Sequence, residues 1–337
     1  MALIPFASSS SISLPKYLHE DQNELSQECR HLMSSLPRDK GWVVNHLFNY
    51  QGFWHTTRQL QGVLASQKLF QAQQTDLFLV TTPKSGTTWL KAMAFAILNR
   101  DRYPCNNDHH PLLYSNPHDL VPFLELKLYV DNNVPDFTNF VSPRLFSTHM
   151  PYISLPDSIK NSKCKIVYLC RNPRDTLISL WHFTNKLRPK TIGNISLEEA
   201  FEKFCKGVSL CGPFWDHVLE YWKQSLEMPE RVLFVKYEEI KEEPKVHLNR
   251  LAKFLGYPFS VEEEKLGVVD EILNLCSFDS LSNLMVNRMG KLLTGEDNKA
   301  FFRKGEVGDS GNYLTPEMIQ HLDVITENKF IGYGLEV

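Results

Sequence analysis

The sequence lacks the features that mark several classes of protein. It has no excess of either charge, with 36 Lys and Arg against 39 Asp and Glu and a formal net charge of −3, which excludes a polybasic nucleic-acid binder. No apolar run reaches the roughly 18 residues that a membrane-spanning helix requires. The 16 glycines and 19 prolines are scattered, and 42% of the residues are hydrophobic, so collagen-like and disordered chains are excluded as well. We therefore expect a globular protein that binds neither nucleic acid nor membranes.

The seven cysteines form no C-x-x-C pair and no Cys/His cluster at the spacing of a metal site. An odd number of scattered cysteines in a long chain is typical of a reducing compartment, so we expect a cytoplasmic protein without a bound metal. Met1–Ala7 contains no basic residue and is interrupted by Pro5, so we expect no signal peptide. A transit peptide is an alternative interpretation of the N-terminus, because Ser8–Ser13 is rich in serine and free of acidic residues.

Short apolar runs alternate with helical patterns along most of the chain. The runs at 76–81, 165–170 and 231–236 have the length of buried strands, and apolar residues at helical spacing follow them. Strands that alternate with helices predict an α/β fold with a central parallel sheet flanked by helices. Such sheets bind ligands at the carboxyl ends of their strands.

The polar, mixed composition of residues 1–40 predicts a loose N-terminal arm. No linker or internal repeat follows, so we expect a single domain over residues 41–337, with the chemically informative motifs at 76–333. The stretch 287–311 is polar and holds five glycines, which predicts a mobile loop.

The segment Thr82–Trp89 lies between a predicted strand and a predicted helix. Lys84 and Gly86 bring a cation and an unhindered backbone to the helix N-terminus, where unpaired amides favour an anion. The segment is no Walker A motif, because that motif ends in Gly-Lys-[Ser/Thr] and places the hydroxyl on Mg²⁺. We therefore predict a P-loop-like strand, loop and helix that binds a phosphate-like group without a metal. The alternative is an ordinary helix entry with a solvated lysine.

Three further segments carry candidate chemistry. Arg171 ends a predicted strand and Ser179 lies two turns into the next helix, so both could meet one oxyanion, although Arg171 could equally pair with Asp175. The glycine-punctuated basic loop Phe302–Asp309 could close on a phosphate. His149 follows a predicted strand, and the ordinary pKa of its imidazole, near neutrality, suits a general base.

Together these segments resemble the soluble, cytosolic-type sulfotransferases. The resemblance is strongest to the plant branch that includes the flavonol, brassinosteroid, desulfoglucosinolate and hydroxyjasmonate enzymes. The matching segments are Pro83–Trp89, Tyr168–Phe183, Arg303–Gly305 and, for the plant members, Asn116–Leu124. The resemblance implies transfer of a sulfuryl group from 3′-phosphoadenosine 5′-phosphosulfate (PAPS) to the hydroxyl of a small, largely apolar acceptor.

The resemblance also implies a role for individual residues. His149 would be the catalytic base, and Lys84 would take up charge on the leaving phosphate, so that no metal is required. The implied donor-binding residues are Lys84, Ser85, Gly86, Thr87, Thr88, Trp89, Arg171, Ser179, Tyr237, Cys276, Ser277, Phe278, Leu281, Arg303, Lys304 and Gly305.

The acceptor pocket is expected to be apolar with a few polar anchors. Candidate lining residues cluster near predicted strand ends or in segments typical of plant members: Phe53, Trp54, Tyr114, His118, Phe123, Tyr152 and Phe183. Flavonoid, steroid, jasmonate and glucosinolate-precursor acceptors would all suit such a pocket, and the sequence does not choose among them.

The sequence departs from the family pattern at three places. Ser147 stands where many animal members have lysine, and Ser310-Gly311 stands where the C-terminal signature commonly has Trp-Lys. The dimerisation motif of the animal enzymes is not evident around Thr315–Met318, so a monomer or a weak homodimer is expected. Two other functions stay open: a catalytically silent nucleotide-binding protein of the same fold and a P-loop small-molecule kinase.

Overall fold

A computed structural model describes residues 14–337, and it contains two sheets within them. The smaller sheet is antiparallel and consists of β1 (Arg38–Asp39), β2 (Leu47–Tyr50) and β3 (Phe53–His55). The larger sheet is parallel, in the spatial order β5-β4-β6-β7, and its strands are β4 (Leu77–Thr81), β5 (Leu145–Thr148), β6 (Lys165–Cys170) and β7 (Val232–Lys236). The prediction of an α/β fold with a central parallel sheet is therefore confirmed.

The parallel strands are continuous apolar runs because both faces of the sheet are buried. Along β4, Phe78 and Val80 point into the core on one face, and Leu77 and Leu79 point into the core on the other. The predicted run 165–170 coincides with β6.

Helices cover both faces of the parallel sheet. They are α1 (Gln27–Ser35), α2 (Thr57–Leu69), α3 (Thr87–Asn99), α4 (Pro117–Leu120), α5 (Asp157–Lys160), α6 (Pro173–Leu187), α7 (Leu197–Cys205), α8 (Phe214–Glu227), α9 (Tyr237–Glu242), α10 (Pro244–Leu255), α11 (Val261–Lys265), α12 (Val268–Leu275), α13 (Phe278–Asn283), α14 (Met285–Met289) and α15 (Pro316–Phe330). Helices α3, α10 and α12 pack on one face, and α6 and α8 on the other. Within residues 14–337, no helix combines the length and the apolar character needed to cross a bilayer.

Short non-α turns connect these helices. The 3₁₀ segments are Lys16–Leu18, Pro111–Leu113, Tyr152–Ser154, Lys190–Ile192, Asn298–Phe301 and Asp309–Asn312, and a π-helical segment spans Leu124–Leu128. The stretch 287–311, expected as a loop, contains the 3₁₀ turn Asn298–Phe301 and the start of the next one.

Residues 14–40 are packed against the domain, unlike the loose arm expected for 1–40. Leu18 is fully buried in the main core, and Cys29 and Met33 on α1 are buried in a smaller cluster with Leu60 of α2. These few apolar residues stand among many polar ones, so the composition of the segment does not indicate that it is packed against the domain. The expectations for Met1–Ser13, including those on signal and transit peptides, lie outside the described residues.

A buried ion pair joins the starts of β4 and β5. Arg144 donates from Nε to Asp76 Oδ1 at 2.8 Å and from a terminal nitrogen to Oδ2 at 2.5 Å. Asp76 is fully buried, and 6% of the Arg144 side chain is exposed. Because a buried charge needs its partner, this pair constrains the two strands whose far ends carry the candidate loop and His149.

We expect Arg144→Met to lower the free energy of unfolding by about 3–5 kcal/mol, because it leaves the buried Asp76 carboxylate without its partner. Denaturant titration provides the measurement. The matched control is Lys245→Met, which removes an exposed pair with Asp270 and should cost less than about 1 kcal/mol. Equal losses in the two variants would contradict a structural role for the buried pair.

Candidate active site

A cavity of about 350 Å³ opens at the carboxyl ends of the parallel strands. Its wall contains a residue that follows each strand closely: Lys84 after β4, His149 after β5, Arg171 after β6 and Tyr237 after β7. Parallel strands bring their carboxyl ends to one edge, so residues far apart in sequence meet there.

The loop after β4 presents the start of α3 to the cavity. Gly86 is the N-cap of α3 with φ +105°, and it provides no side-chain cap to the first amides of the helix. A Cβ at Gly86 would lie 2.7 Å from the ring of Tyr237, so only glycine fits. Lys84 also adopts a positive φ of 71°, which is uncommon for a residue with a side chain. The uncapped amides and the helix dipole are suited to an anion at this end of α3.

The hydroxyl groups of this loop point in different directions. Ser85 does not line the cavity, and its Oγ lies 2.5 Å from Oγ1 of Thr82. Thr87 Oγ1 lies 2.6 Å from Oγ1 of Thr81. Thr88 lines the cavity, and its Oγ1 contacts a histidine nitrogen at 2.9 Å. The side chain of Ser85 therefore contacts Thr82 and not the cavity.

Lys84 lies in an aromatic and cationic environment. Its Nζ is 4.2 Å from the ring centroid of Phe183 and 5.6 Å from that of Phe301. Burial, followed by the nearby charges of Lys186, Arg171 and Arg303, lowers its pKa to about 7. Among residues 14–337 no carboxylate pairs with Lys84, so an anionic ligand is the partner that would stabilise its charged form.

Two arginines face the other side of the cavity. Arg171 donates to the carbonyl of Glu306 at 2.7 Å and lies 3.4 Å from a carboxylate oxygen of Asp175. The ion pair of Arg171 with Asp175, which the sequence analysis gave as the alternative to an anion contact, is thus present. Arg171 also lines the cavity. Its buried Nε has no hydrogen-bond partner, and neither has the buried Nε of Arg303. Both arginines line the cavity, so their guanidinium groups are suited to a bound anion such as phosphate.

A C-terminal loop supplies Arg303, Lys304 and Gly305 to this wall. Arg303 forms an ion pair with Asp309, and Lys304 contacts the same carboxylate at 2.6 Å. Gly305 has φ +69°, and a Cβ there would lie 2.5 Å from the ring of Phe278. The loop therefore packs closely against the start of α13.

An aromatic and apolar wall lies between the two basic regions. Trp89 and Tyr237 meet edge to face with ring centroids 5.4 Å apart. The remaining predicted donor-binding residues also line the cavity: Ser179, Cys276, Ser277, Phe278 and Leu281. The arrangement suits a planar base between anionic groups.

His149 is held by its backbone and by one ring nitrogen. Its amide donates to Glu125 Oε1 at 2.8 Å, and Nδ1 lies 2.7 Å from the carbonyl oxygen of Thr81. A carbonyl only accepts, so Nδ1 carries the proton and Nε2 keeps its lone pair. Within residues 14–337 Nε2 forms no hydrogen bond, and His149 lines the cavity. Burial lowers the imidazole pKa to about 3, so the ring is neutral at pH 7. The pKa near neutrality that the sequence analysis assumed for His149 is therefore not observed.

Comparison with known proteins identifies the family. Residues 74–334 match the sulfotransferase domain family. The chain is 51% identical to cytosolic sulfotransferase 12 of Arabidopsis thaliana, over 97% of this chain and 99% of that protein. The chain belongs to the sulfotransferase family.

Solved structures of sulfotransferases share the fold. The crystal structure of an Arabidopsis thaliana "putative steroid sulphotransferase" is 44% identical, with a TM-score of 0.73, and the match covers 96% of this chain and all of that one. A mouse sulfotransferase determined in complex with PAP is 28% identical, with a TM-score of 0.66, over 85% of this chain and 94% of that chain. This sulfotransferase is therefore an enzyme of the sulfuryl-transfer class.

The predicted acceptor residues of this sulfotransferase divide into two groups. His118, Phe123 and Phe183 line the cavity. The others do not: Phe53 packs against His217, Trp54 lies against the main core, Tyr152 packs against Tyr221, and Tyr114 is 65% exposed. Proximity in sequence to a strand end or a plant-type motif does not decide where an aromatic side chain points.

The cavity of this sulfotransferase also contains residues that the sequence analysis missed. They come from the N-terminal segment, α2, α4, the π-helical segment and the region after α14, and include Tyr17, Gln59, Asp119, Lys127, Leu292, Thr294, Glu296 and Phe301. Phe301 directly precedes the predicted basic loop Phe302–Asp309, so the sequence contained a signal that it could lie at the same site. Nothing in the sequence connects Tyr17 or Gln59 with the site, because only tertiary packing brings them there.

The lowered pKa of Lys84 predicts proton uptake when an anionic nucleotide binds. Near pH 8 most of the free Lys84 is neutral, and a bound polyanion favours the ammonium form, so binding of 3′,5′-phosphoadenosine takes up as much as about one proton. At pH 6 the uptake is small, because Lys84 is already charged. Calorimetry in buffers of different ionisation enthalpy measures this number. The control Lys84→Arg keeps a permanent charge and should lose most of the uptake, and equal uptake in both proteins would contradict the assignment.

Proposed function

We propose that this enzyme transfers the sulfuryl group of PAPS to a hydroxyl of a small, largely apolar acceptor, with His149 as the base. The observation that carries the proposal is the position of the His149 Nε2 lone pair, which shares one cavity with the uncapped start of α3. A base and an anion site so placed support attack of an acceptor oxygen on a bound anionic group.

The residues of the cavity fit both ends of PAPS. The amides of α3, together with Lys84 and Thr88, are suited to the phosphosulfate end, and the guanidinium groups of Arg171 and Arg303 are suited to the 3′-phosphate. Trp89 and Phe278 would flank the adenine. The mouse relative was solved with PAP, which is PAPS without its sulfuryl group, and this supports the same donor here.

The proposed reaction moves one proton and one sulfuryl group. His149 Nε2 accepts the proton of the acceptor hydroxyl while the acceptor oxygen bonds to sulfur and the bond from sulfur to the phosphate oxygen breaks. The charge on the leaving phosphate is taken up by Lys84 and the α3 amides, and no metal takes part. A neutral His149 is in the form that accepts this proton.

The acceptor part of the cavity supports a hydrophobic substrate. Apolar residues such as Phe123, Leu126 and Phe183 line it, with polar groups at a few points, including Lys127 paired with Asp119 at 2.8 Å. Flavonoid, steroid, jasmonate and glucosinolate-precursor compounds remain the candidate classes. The names of the cytosolic relatives support a cytosolic location.

A direct test combines the protein, PAPS and a panel of these acceptor classes in the presence of EDTA. We expect a sulfated product and an equal amount of 3′,5′-phosphoadenosine, with no loss of rate on chelation. Donor binding without any product across the panel would favour a silent nucleotide-binding protein. Transfer from ATP that EDTA abolishes would instead favour a kinase.

We expect His149→Ala to lower kcat by about 10²–10⁴-fold, because only the proton acceptor is removed, while affinity for 3′,5′-phosphoadenosine is retained. His55→Leu is the matched control. His55 is a buried histidine whose pKa is also lowered to about 3 by burial, but it lies outside the cavity wall, and neither of its ring nitrogens has a partner. Turnover should be unchanged in that variant. A His149→Ala enzyme with the turnover of the wild type would remove His149 from the mechanism.

A further inference from the structure

A chain of hydrogen bonds runs from the interior of α3 to the cavity. Lys91 Nζ lies 3.0 Å from His118 Nδ1, and His118 Nε2 lies 2.9 Å from Thr88 Oγ1. Thr88 and Lys91 are three residues apart on α3, so they share one face of the helix. His118, on α4, bridges them, and both of its ring nitrogens are used.

Lys91 has no evident structural reason to be a lysine. It is fully buried, and among residues 14–337 no carboxylate forms an ion pair with it. Its ammonium lies 3.4 Å from the ring centroid of Phe123, and its one hydrogen-bond partner in the described chain is His118. The carboxylates of Glu125, Asp119 and Glu296 are near enough to favour its charged form, but burial outweighs them. A buried cation with no counter-ion in contact is costly, and a methionine would fill the same space at lower cost. The cost is offset if an anion binds nearby.

His118 is fixed in place from several sides. Its backbone amide donates to Asn116 Oδ1 at 2.9 Å, and Asn116 in turn donates to Asn287 at 2.9 Å. Its ring is stacked on Phe123, with centroids 5.5 Å apart, and lies 4.4 Å from the ring of Phe301. Burial, followed by the charge of Lys91, lowers the pKa of His118, so its ring is neutral. A neutral imidazole has one donor and one acceptor nitrogen.

The charge of Lys91 sets the direction of the chain. When an anion in the cavity keeps Lys91 in its ammonium form, Nζ can only donate, so His118 Nδ1 accepts and Nε2 donates to Thr88 Oγ1. The Thr88 oxygen then receives a hydrogen bond, and its own proton is free to point into the cavity that Thr88 lines. Each bond in such a chain polarises the next, which strengthens the last donor. Burial lowers the pKa of Lys91, and an anion in the cavity opposes that shift.

We propose that Lys91 and His118 are positioning residues that orient the Thr88 hydroxyl as a hydrogen-bond donor to the phosphosulfate end of the donor. The inference rests on the proposed function, because it assigns a role to residues around the same bound group. Neither residue touches the group itself. Both act through Thr88.

Two variants of His118 separate this role from simple packing. His118→Phe keeps a ring against Phe123 and Phe301 but breaks the chain, whereas His118→Gln keeps one acceptor and one donor but loses the ring. We expect affinity for 3′,5′-phosphoadenosine, measured by calorimetry, to fall about 10-fold in the Phe variant and to stay within about 3-fold of wild type in the Gln variant. The opposite order would overturn the proposal and show that His118 serves as an aromatic wall.

A double-mutant cycle tests whether Lys91 acts through Thr88. Lys91→Met and Thr88→Val should each weaken binding about 10-fold, and the double variant should be little weaker than either single variant. Independent effects, which multiply to about 100-fold, would overturn the proposal. Thermal unfolding of each variant verifies that it is folded. If the wild-type protein neither binds 3′,5′-phosphoadenosine nor transfers a sulfuryl group, the proposed function is wrong. If the wild-type enzyme is active but the two substitutions act independently, only the role of Lys91 and His118 is wrong.

Discussion

The uncapped start of α3 at the end of β4 is the feature on which the rest of the site depends. Strand β4 lies between β5 and β6, so the segments that carry His149 and Arg171 open beside it. The positive φ of Gly86 turns the chain into the helix without a capping side chain, which leaves amides for an anion. In the proposed function, His149 and the basic residues at the other strand ends act on a group that is bound at this start of α3.

Electrostatics explains how a protein with a net charge of −3 can offer a site for a polyanion. Lys84, Arg171 and Arg303 line one cavity. The two arginines also pair with Asp175 and Asp309, whereas no carboxylate among residues 14–337 forms an ion pair with Lys84. Burial lowers the pKa values of Lys84 and Lys91, so in the proposed function part of their positive charge develops when the donor binds. The proposed anion binding then depends on the placement of a few cations and not on the overall charge.

The sequence predicts the parts of the structure in which local pattern and tertiary packing agree. The strand 165–170 follows from its apolar run and is observed, and α6 begins after it with Asn172 as N-cap and Pro173 in its first turn, both typical residues of a helix start. The prediction of a loose N-terminal arm is wrong for residues 14–40, because the burial of their apolar side chains depends on contacts with distant elements. Lys91 gives no sequence signal either, since a lysine in a helix is usually solvated, and only the fold shows that it is buried beneath His118.

The central claim is that one cavity binds both phosphate-bearing ends of the donor. Its most direct test is the affinity of the wild-type protein for 3′,5′-phosphoadenosine compared with adenosine 5′-monophosphate, which lacks the 3′-phosphate. Two guanidinium groups in the cavity wall predict a preference of at least about 100-fold for the bisphosphate, reduced to within about 10-fold in Arg171→Met. Equal affinity of the wild-type protein for the two nucleotides would contradict the account.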